Sequence, residues 1–512
     1  MPMLAESPPL KPRRSGTVAS RTGVEKLIKV FFGGNALVAV VVLALITIFL
    51  AREGFGFFGQ NLGNLRLYRQ AGLEYVDILR GETQKHSALS RSLSDVRLRQ
   101  FRATVAAGAS AEEANASLAA FDQFASAFSD SSTDLNGLVS DSTDTAAALK
   151  EQLAGEAAAG GAQTVDRAAA LQTLTTATAR FASIADTMRP ALAQLLETAP
   201  TMSDPDAQKA LAKWQDQVRA YIAGLPAAAE RLRTWSADAP VPWYRAISAF
   251  LFGHDWITAS FWQDWYGIRP LLVGSIMVSF VALLLAVPLG VASAVYVSEI
   301  ATRHEKRIIK PYIEFISAIP SVVLGFFGIA VVGQAVRAMS QLPIFSWVSF
   351  FPISERLNVF TAGCLLALMA VPTIFTLAED ALRNVPRGFK EASYALGANR
   401  LQTIIRVLVP ASLSGIVSAI LLGLGRVIGE TMVVLLCAGN RIEIPDFTQG
   451  LGAFFQPVHT MTGIIAQEMG EVVRGSMHYR ALFMVGLVLF TITLAINYFA
   501  QKLVARYRMS IG

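Results

Sequence analysis

The chain has 512 residues, of which 53% are hydrophobic and 16% charged, with a formal net charge of +6. The apolar residues come in long blocks, which excludes an ordinary soluble enzyme and points to a membrane protein. The basic residues gather at the ends of those blocks, so the positive balance speaks for a lipid surface and against nucleic acid.

Crossing the hydrocarbon core takes about 20 apolar residues. Six stretches meet that requirement: 30–51, 271–298, 315–333, 357–378, 413–438 and 481–501. Of these, only 413–438 carries charge, in Arg426 and Glu430. The basic start (Arg13, Arg14, Arg21, Lys26, Lys29) resembles a signal peptide, but Val30 to Ala51 is too long for its apolar region and no small-x-small site follows. The expectation is a cytoplasmic tail over 1–29 and a retained anchor over 30–51. Alternating the spans puts 1–29, 299–311, 383–412 and 502–512 on one side, with 18 Lys and Arg in 83 residues, against 5 in 64 for the opposite loops 337–357 and 438–480. The positive-inside rule then places both termini in the cytoplasm of a bacterial inner-membrane protein and 52–269 outside.

Residues 52–242 are rich in Ala, Ser, Thr, Gln and Asp. Apolar side chains recur at three- and four-residue steps, as in Leu118, Phe121, Phe124, Ala125, Phe128 and again in Leu171, Leu174, Ala177, Phe181, Ile184. That pattern predicts several amphipathic helices packed side by side, with breaks at Gly160-Gly161, Pro190, Pro200 and Pro205. Four of the seven tryptophans fall in 243–266, which predicts an interfacial segment over 243–269. The permease-like transmembrane part follows at 270–508. Pro288, Pro320 and Pro372 each interrupt a predicted span and imply bends.

The loop 383–412 carries the most specific signal. It reads Glu391-Ala392-Ser393, three residues, Gly397, nine residues, Val407, then Val409-Pro410. This spacing resembles the EAA signature of ABC importer permeases, with Ser393 in place of the third alanine and two valines in place of Ile and Leu. Gly397 permits a tight turn and Pro410 can begin a helix. The resemblance implies a helix–turn–helix that fits a cleft on an ATPase, with Glu391, Ala392, Gly397 and Pro410 as coupling residues.

The second signal is Gly423-Leu424-Gly425-Arg426-Val427-Ile428-Gly429-Glu430-Thr431-Met432 in the fifth span. Ionisable groups inside a span are expensive and face a partner or a wet path. Arg426 and Glu430 are four apart, so on one helix they share a face and can pair. Arginine is the planar fork that suits phosphate oxygens, and a carboxylate beside it can hold the arginine or accept a hydrogen bond from a protonated phosphate. The three glycines allow close backbone approach. The run, ending at Gly439-Asn440, resembles the PstC-type phosphate permeases, whose sister subunit of the PstA type usually has Ala-Pro after Gly-Glu-Thr. Phe250-Leu251-Phe252-Gly253, Val287-Pro288-Leu289-Gly290, Ser298-Glu299 and Ile319-Pro320-Ser321-Val322-Val323 agree with it. The resemblance covers about 245–508 and leaves out 52–242.

What the resemblance implies is an all-α membrane protein: six transmembrane helices of the type I ABC importer fold plus a mainly helical periplasmic insertion. The chain is then a non-catalytic permease subunit importing inorganic phosphate, with Arg426, Glu430 and Thr431 on the substrate path. Its partners are a PstA-type subunit, ATP-binding subunits in two copies, a periplasmic phosphate-binding protein and membrane lipid, without cofactor, metal or nucleic acid. No Gly-x4-Gly-Lys-Ser/Thr occurs, so ATP hydrolysis falls to another polypeptide. A permease for sulfate or molybdate is the neighbouring reading. A membrane receptor with a periplasmic sensing domain is the reading from another class, set back by the short segment 502–512 after the last span. Cys364 and Cys437 lie inside spans and offer no disulfide framework, and the five histidines are scattered.

Overall fold

The computed structural model describes residues 18–158, 167–258, 263–345, 347–348 and 350–507. The basic Arg13 and Arg14, the Gly160-Gly161 break, Phe261, Trp262 and the last five residues lie outside the described residues. Two compact units are present, 58–267 and the remainder of the chain.

Helix α1 spans Val18–Gln70. Nothing breaks it at the end of the apolar stretch, and its Ile28–Gln70 part contains a membrane-spanning window. It stops where Gly72 takes φ +79°, a conformation that costs glycine little.

The 58–267 unit is built from α2 (Leu73–Ala106), α3 (Ala111–Ser117), α4 (Ala119–Asp130), α5 (Thr133–Ala158), α6 (Arg167–Glu197), α7 (Pro205–Thr234) and α8 (Tyr244–Phe252). Its core takes Tyr75, Leu79 and Leu93 from α2, Phe121, Phe124 and Phe128 from α4, Phe181 and Leu192 from α6, and Trp214, Val218 and Leu225 from α7. These are the three- and four-residue repeats of the sequence, turned inward because burying a large side chain stabilises by about 1.5–3 kcal/mol. The Trp214 indole donates to the Leu89 carbonyl at 3.0 Å. His86 is buried too, stacked on Phe128 with ring centroids 4.4 Å apart. Pro190 does not break the chain; it sits inside α6, whereas Pro200 falls between helices and Pro205 opens α7. The strands β1 (Trp256–Ile257) and β2 (Trp265–Tyr266) pair antiparallel, Trp256 opposite Tyr266.

In the other unit, α9 (Arg269–Val295) runs into a π-helical turn, Tyr296–Ile300. After α10 (Arg303–Ile316) come α11 (Ser321–Phe327) and α12 (Gly333–Ser340), joined by the π turn Gly328–Val332 into one apolar helix of span length. The third span therefore starts later than 315. Ile313 and Phe315 belong to α10, an amphipathic helix opened by a Thr302–Glu305 capping box. Pro320 caps α11, and the apolar run 315–333 is broken just before it, between Ile316 and Ser321.

Then follow α13 (Val359–Arg383), α14 (Arg387–Ala395), α15 (Arg400–Thr403), α16 (Val409–Ala411), α17 (Leu413–Ile428), α18 (Met432–Cys437), α19 (Met461–Glu468) and α20 (Met477–Tyr507). The core lies where α9 meets α13: Val278, Val281, Ala282 and Ala286 against Ala362, Leu366 and Ala370. Small residues set the helix spacing there, as expected where lipid supplies no hydrophobic drive between helices. Among the described residues five helices are long and apolar enough to cross a membrane, or six if 400–411 and 413–428 form one span bent by 67°. The fifth predicted span, 413–438, is thus not one helix. It ends at Ile428 and resumes at Met432.

Candidate functional site

The break between α17 and α18 holds the predicted path residues. At the end of α17 the Gly429 amide still donates to the Gly425 carbonyl at 3.2 Å, and the Glu430 amide to the Val427 carbonyl at 3.3 Å, tightening the last turn. Beyond it Glu430 and Thr431 leave the helix. The predicted pairing of Arg426 with Glu430 along one helical face therefore does not form: the four-residue rule needs an unbroken helix, and this one has ended. Glu430 turns to its own chain, its Oε1 accepting the Met432 amide at 3.1 Å. A carboxylate beside an unsatisfied amide at the start of a helix is favourable. Arg426 donates from Nη1 to Thr373 Oγ1 on α13 at 3.1 Å. It has no ion-pair partner among the described residues and is exposed in this chain. Thr431 is half-buried, and its hydroxyl reaches the Gly429 carbonyl only at 3.5 Å.

Of the three glycines, only Gly423 is packed against another element; a Cβ there would lie 2.8 Å from Ile374. Gly425 and Gly429 have room. Both are next to charged residues in a helix terminus, so their use is backbone exposure rather than packing. Two neighbours of the break had no signal in the sequence. Thr373 supplies the Arg426 contact, and Thr462 donates to the Glu430 carbonyl at 2.9 Å. Both are single hydroxyls far away in sequence, on α13 beside Pro372 and on the short α19.

On α9, Gly274 lies so close to the 458–461 segment that a Cβ would meet the His459 carbonyl oxygen at 2.1 Å. Next to it Ser275 Oγ accepts the Met461 amide at 3.0 Å. The segment leading into α19 is thereby fixed to α9.

A cavity of about 380 Å³ is lined by Ser354, Glu355, Arg441, Glu443, Asp446 and Gln449 among others. Hydrogen bonds from Thr448 hold the Asp446 carboxyl below the usual carboxylate range. Three carboxylates face one arginine, and that arginine is already paired with Glu443 at 2.8 Å. Such a lining repels an anion, which leaves Arg426 the better anion contact. Among the described residues no group of three or more His, Cys, Asp or Glu is arranged to hold a metal ion.

The EAA-like segment is a helix–turn–helix. Helix α14 contains Glu391 and Ala392, and Gly397 follows it at φ +81°, with open space where a Cβ would go. Asn399 then caps α15 through a reciprocal box with Gln402. A π-helical turn Ile404–Leu408 leads to α16, where Pro410 sits at the helix start. Glu391 and Ala392 are exposed or nearly so, free for a partner surface. Ser393, the departure from the signature, has a local reason. It is buried, and its hydroxyl bonds to the buried Thr403 Oγ1 at 2.9 Å, tying α14 to α15 across the turn.

Similarity to known proteins identifies the family. Residues 286–509 match the family described as the binding-protein-dependent transport system inner membrane component. A probable ABC transporter permease protein, YqgH of Bacillus subtilis, is 35% identical over 46% of this chain and 72% of its own length. The phosphate transport system permease proteins PstC of Pasteurella multocida and Haemophilus influenzae are 31% and 30% identical, over 82% and 84% of their lengths and about half of this chain. A solved structure of the MetNI methionine ABC transporter in an inward-facing conformation overlaps 47% of the chain and 94% of its own, at 19% identity and TM-score 0.34, a likeness too distant to add weight. The chain is thus a multi-pass inner-membrane transport component, and it belongs to the PstC-type ABC transporter permeases.

Proposed function

We propose that this chain forms one half of the path by which an ATP-driven importer moves inorganic phosphate into the cell. The observation that carries the reading is Arg426, a guanidinium with no carboxylate partner among the described residues, beside a break between two apolar helices. A cation within a span needs a partner or a wet path, and a planar fork of donors matches phosphate oxygens in two-point contact. Glu430 is occupied with the α18 amide, so it does not cancel the charge. Its role is then to hold the broken segment in place beside the arginine. Thr431, at the same break, completes the polar surface. The PstC relatives carry the same substrate in their names.

The chain contains no phosphate-binding P-loop for ATP. Hydrolysis is assigned to two copies of an ATP-binding partner, engaged by the α14 face with Glu391 and Ala392 and by the turn at Gly397 and Pro410. A PstA-type subunit supplies the other half of the path, and a periplasmic phosphate-binding protein delivers the ion. Both termini lie in the cytoplasm and the helical unit outside, as the basic loops direct.

The test is complementation with the neighbouring subunits in a bacterium stripped of its own phosphate importers. Uptake of labelled phosphate that survives a hundredfold excess of sulfate or molybdate supports the reading. Uptake abolished by either competitor moves the substrate to another oxyanion. No ATP-dependent uptake of any of the three removes the reading.

A further inference from the structure

The Ser298-Glu299 pair, left without a role by the path and the coupling turn, sits in the π-helical end of α9. Glu299 is partly buried, with only 9% of its side chain exposed. Lys390 of α14 reaches its Oε1 at 2.7 Å, and Ser298 Oγ donates to the same oxygen at 3.1 Å. On the other side of the turn, Arg400 of α15 donates to the Glu299 backbone carbonyl. Lys306 donates to the Ser298 carbonyl at 2.8 Å. One residue at the end of a transmembrane helix is therefore held by both arms of the helix–turn–helix, each through a charged donor.

We infer that Glu299 is the joint through which the coupling turn drives α9, a positioning residue for transport. The inference rests on the proposed coupling role of α14 and α15. Charge-assisted bonds are directional and strong for their number, so they transmit a rigid-body shift where apolar contacts let surfaces slide. The Ser393–Thr403 bond makes the two arms move as one piece. From α9 the shift reaches the break, since Ser275 holds Met461 and Thr462 holds the Glu430 carbonyl. This is a contiguous set of hydrogen bonds, and it becomes coupling only if α9 has two positions that nucleotide selects between. The experiment must therefore read α9 itself.

The variant is Glu299→Gln with Lys390→Gln in the full complex with its ATPase and sister subunit. Removing both charges leaves no buried carboxylate unpaired, so the complex is expected in normal amount. The first readout is independent of substrate: the reactivity of a cysteine at Ile276, which is exposed on the outer half of α9, measured with and without ATP and vanadate. A nucleotide-dependent change in the otherwise wild-type complex, reduced at least fivefold by the double variant, is the expected result. Equal changes in both complexes, or none in the wild type, overturn the joint. The second readout is ATP hydrolysed per phosphate taken up, expected to rise several-fold in the double variant. If complex yield and uptake fall together while that ratio stays constant, Glu299 is only structural and the inference is wrong. Failure of the wild-type complex to take up phosphate would count against the proposed substrate and leave the cysteine measurement to decide the joint.

Discussion

Replacing Gly274 by alanine tests how tightly α9 is fastened to the outer segment that supports the helix break. The new methyl carbon would lie 2.1 Å from the His459 carbonyl oxygen, 3.1 Å from its carbon and 3.2 Å from Val458 Cβ. The shortest of these is more than about 1 Å inside ordinary carbon–oxygen contact. The obstacle is backbone, and it cannot step aside freely, because the Val458 amide is bonded to the Ala438 carbonyl at 2.8 Å. The helix must shift instead, which pulls Ser275 Oγ from the Met461 amide, now 3.0 Å away. Overpacking costs about 1–3 kcal/mol and the lost bond about 1 kcal/mol, so the sum is about 2–4 kcal/mol. Heating the detergent-solubilised complex and following its loss by size-exclusion chromatography should show a midpoint lower by on the order of 3–6 °C. An unchanged midpoint would show that α9 and the 458–461 segment are not in this contact, and with it the route from Glu299 to the break would fall.

Gly397→Val should strain the turn by about 1–2 kcal/mol through its positive φ alone, since nothing surrounds the side chain; uptake per ATP should fall, while Gly397→Asn, tolerant of that conformation, should keep most of it. Equal uptake by both variants would separate the turn from coupling. A cysteine at Ser129, which is exposed, should react with an impermeant thiol reagent from the periplasmic side of intact cells; labelling only after the inner membrane is broken would reverse the topology. Ser131 is unsuited to that probe because its hydroxyl lies 3.1 Å from the buried His86 Nε2. Burial holds the His86 imidazole below its ordinary 6.5. The unfolded chain then takes up the proton first, so this contribution to stability is present above pH 6.5 and is lost as the pH falls below it. Limited proteolysis of the full chain at pH 7.5 and 5.5 should cut the 58–267 unit faster at the lower pH, and His86→Gln should lessen the difference.

The parts of the fold that local pattern controls were legible. Phe121, Phe124, Phe128 and Phe181 announced their buried faces by spacing alone, and the Gly397 turn by the residues around it. What failed were the places where a local rule meets a distant partner. Arg426 and Glu430 looked like a helical pair because apolar residues continue on both sides, yet the helix ends between them and each finds another partner. The third span looked continuous with Phe315 because the apolar run ignores the Thr302–Glu305 cap and the stop at Pro320. Pro190 looked like a break, but α6 continues through it, with the proline on the exposed side of the helix. The Glu299–Lys390 contact joins residues 91 apart, and no periodicity reports such a bond.

The central claim is that phosphate passes along the Arg426 guanidinium. Because Glu430 is not its partner, Arg426→Gln strands no buried carboxylate, and the variant should assemble with the ATPase and sister subunit in wild-type amount. The decisive measurement is ATP-driven uptake of labelled phosphate into proteoliposomes holding equal amounts of assembled complex, wild type against Arg426→Gln and against Arg426→Gln with Glu430→Gln. Losing charge-assisted bonds worth about 1.5–3 kcal/mol each should lower uptake on the order of 100-fold in both variants. Uptake near the wild-type rate by either, at equal complex, would take Arg426 off the path.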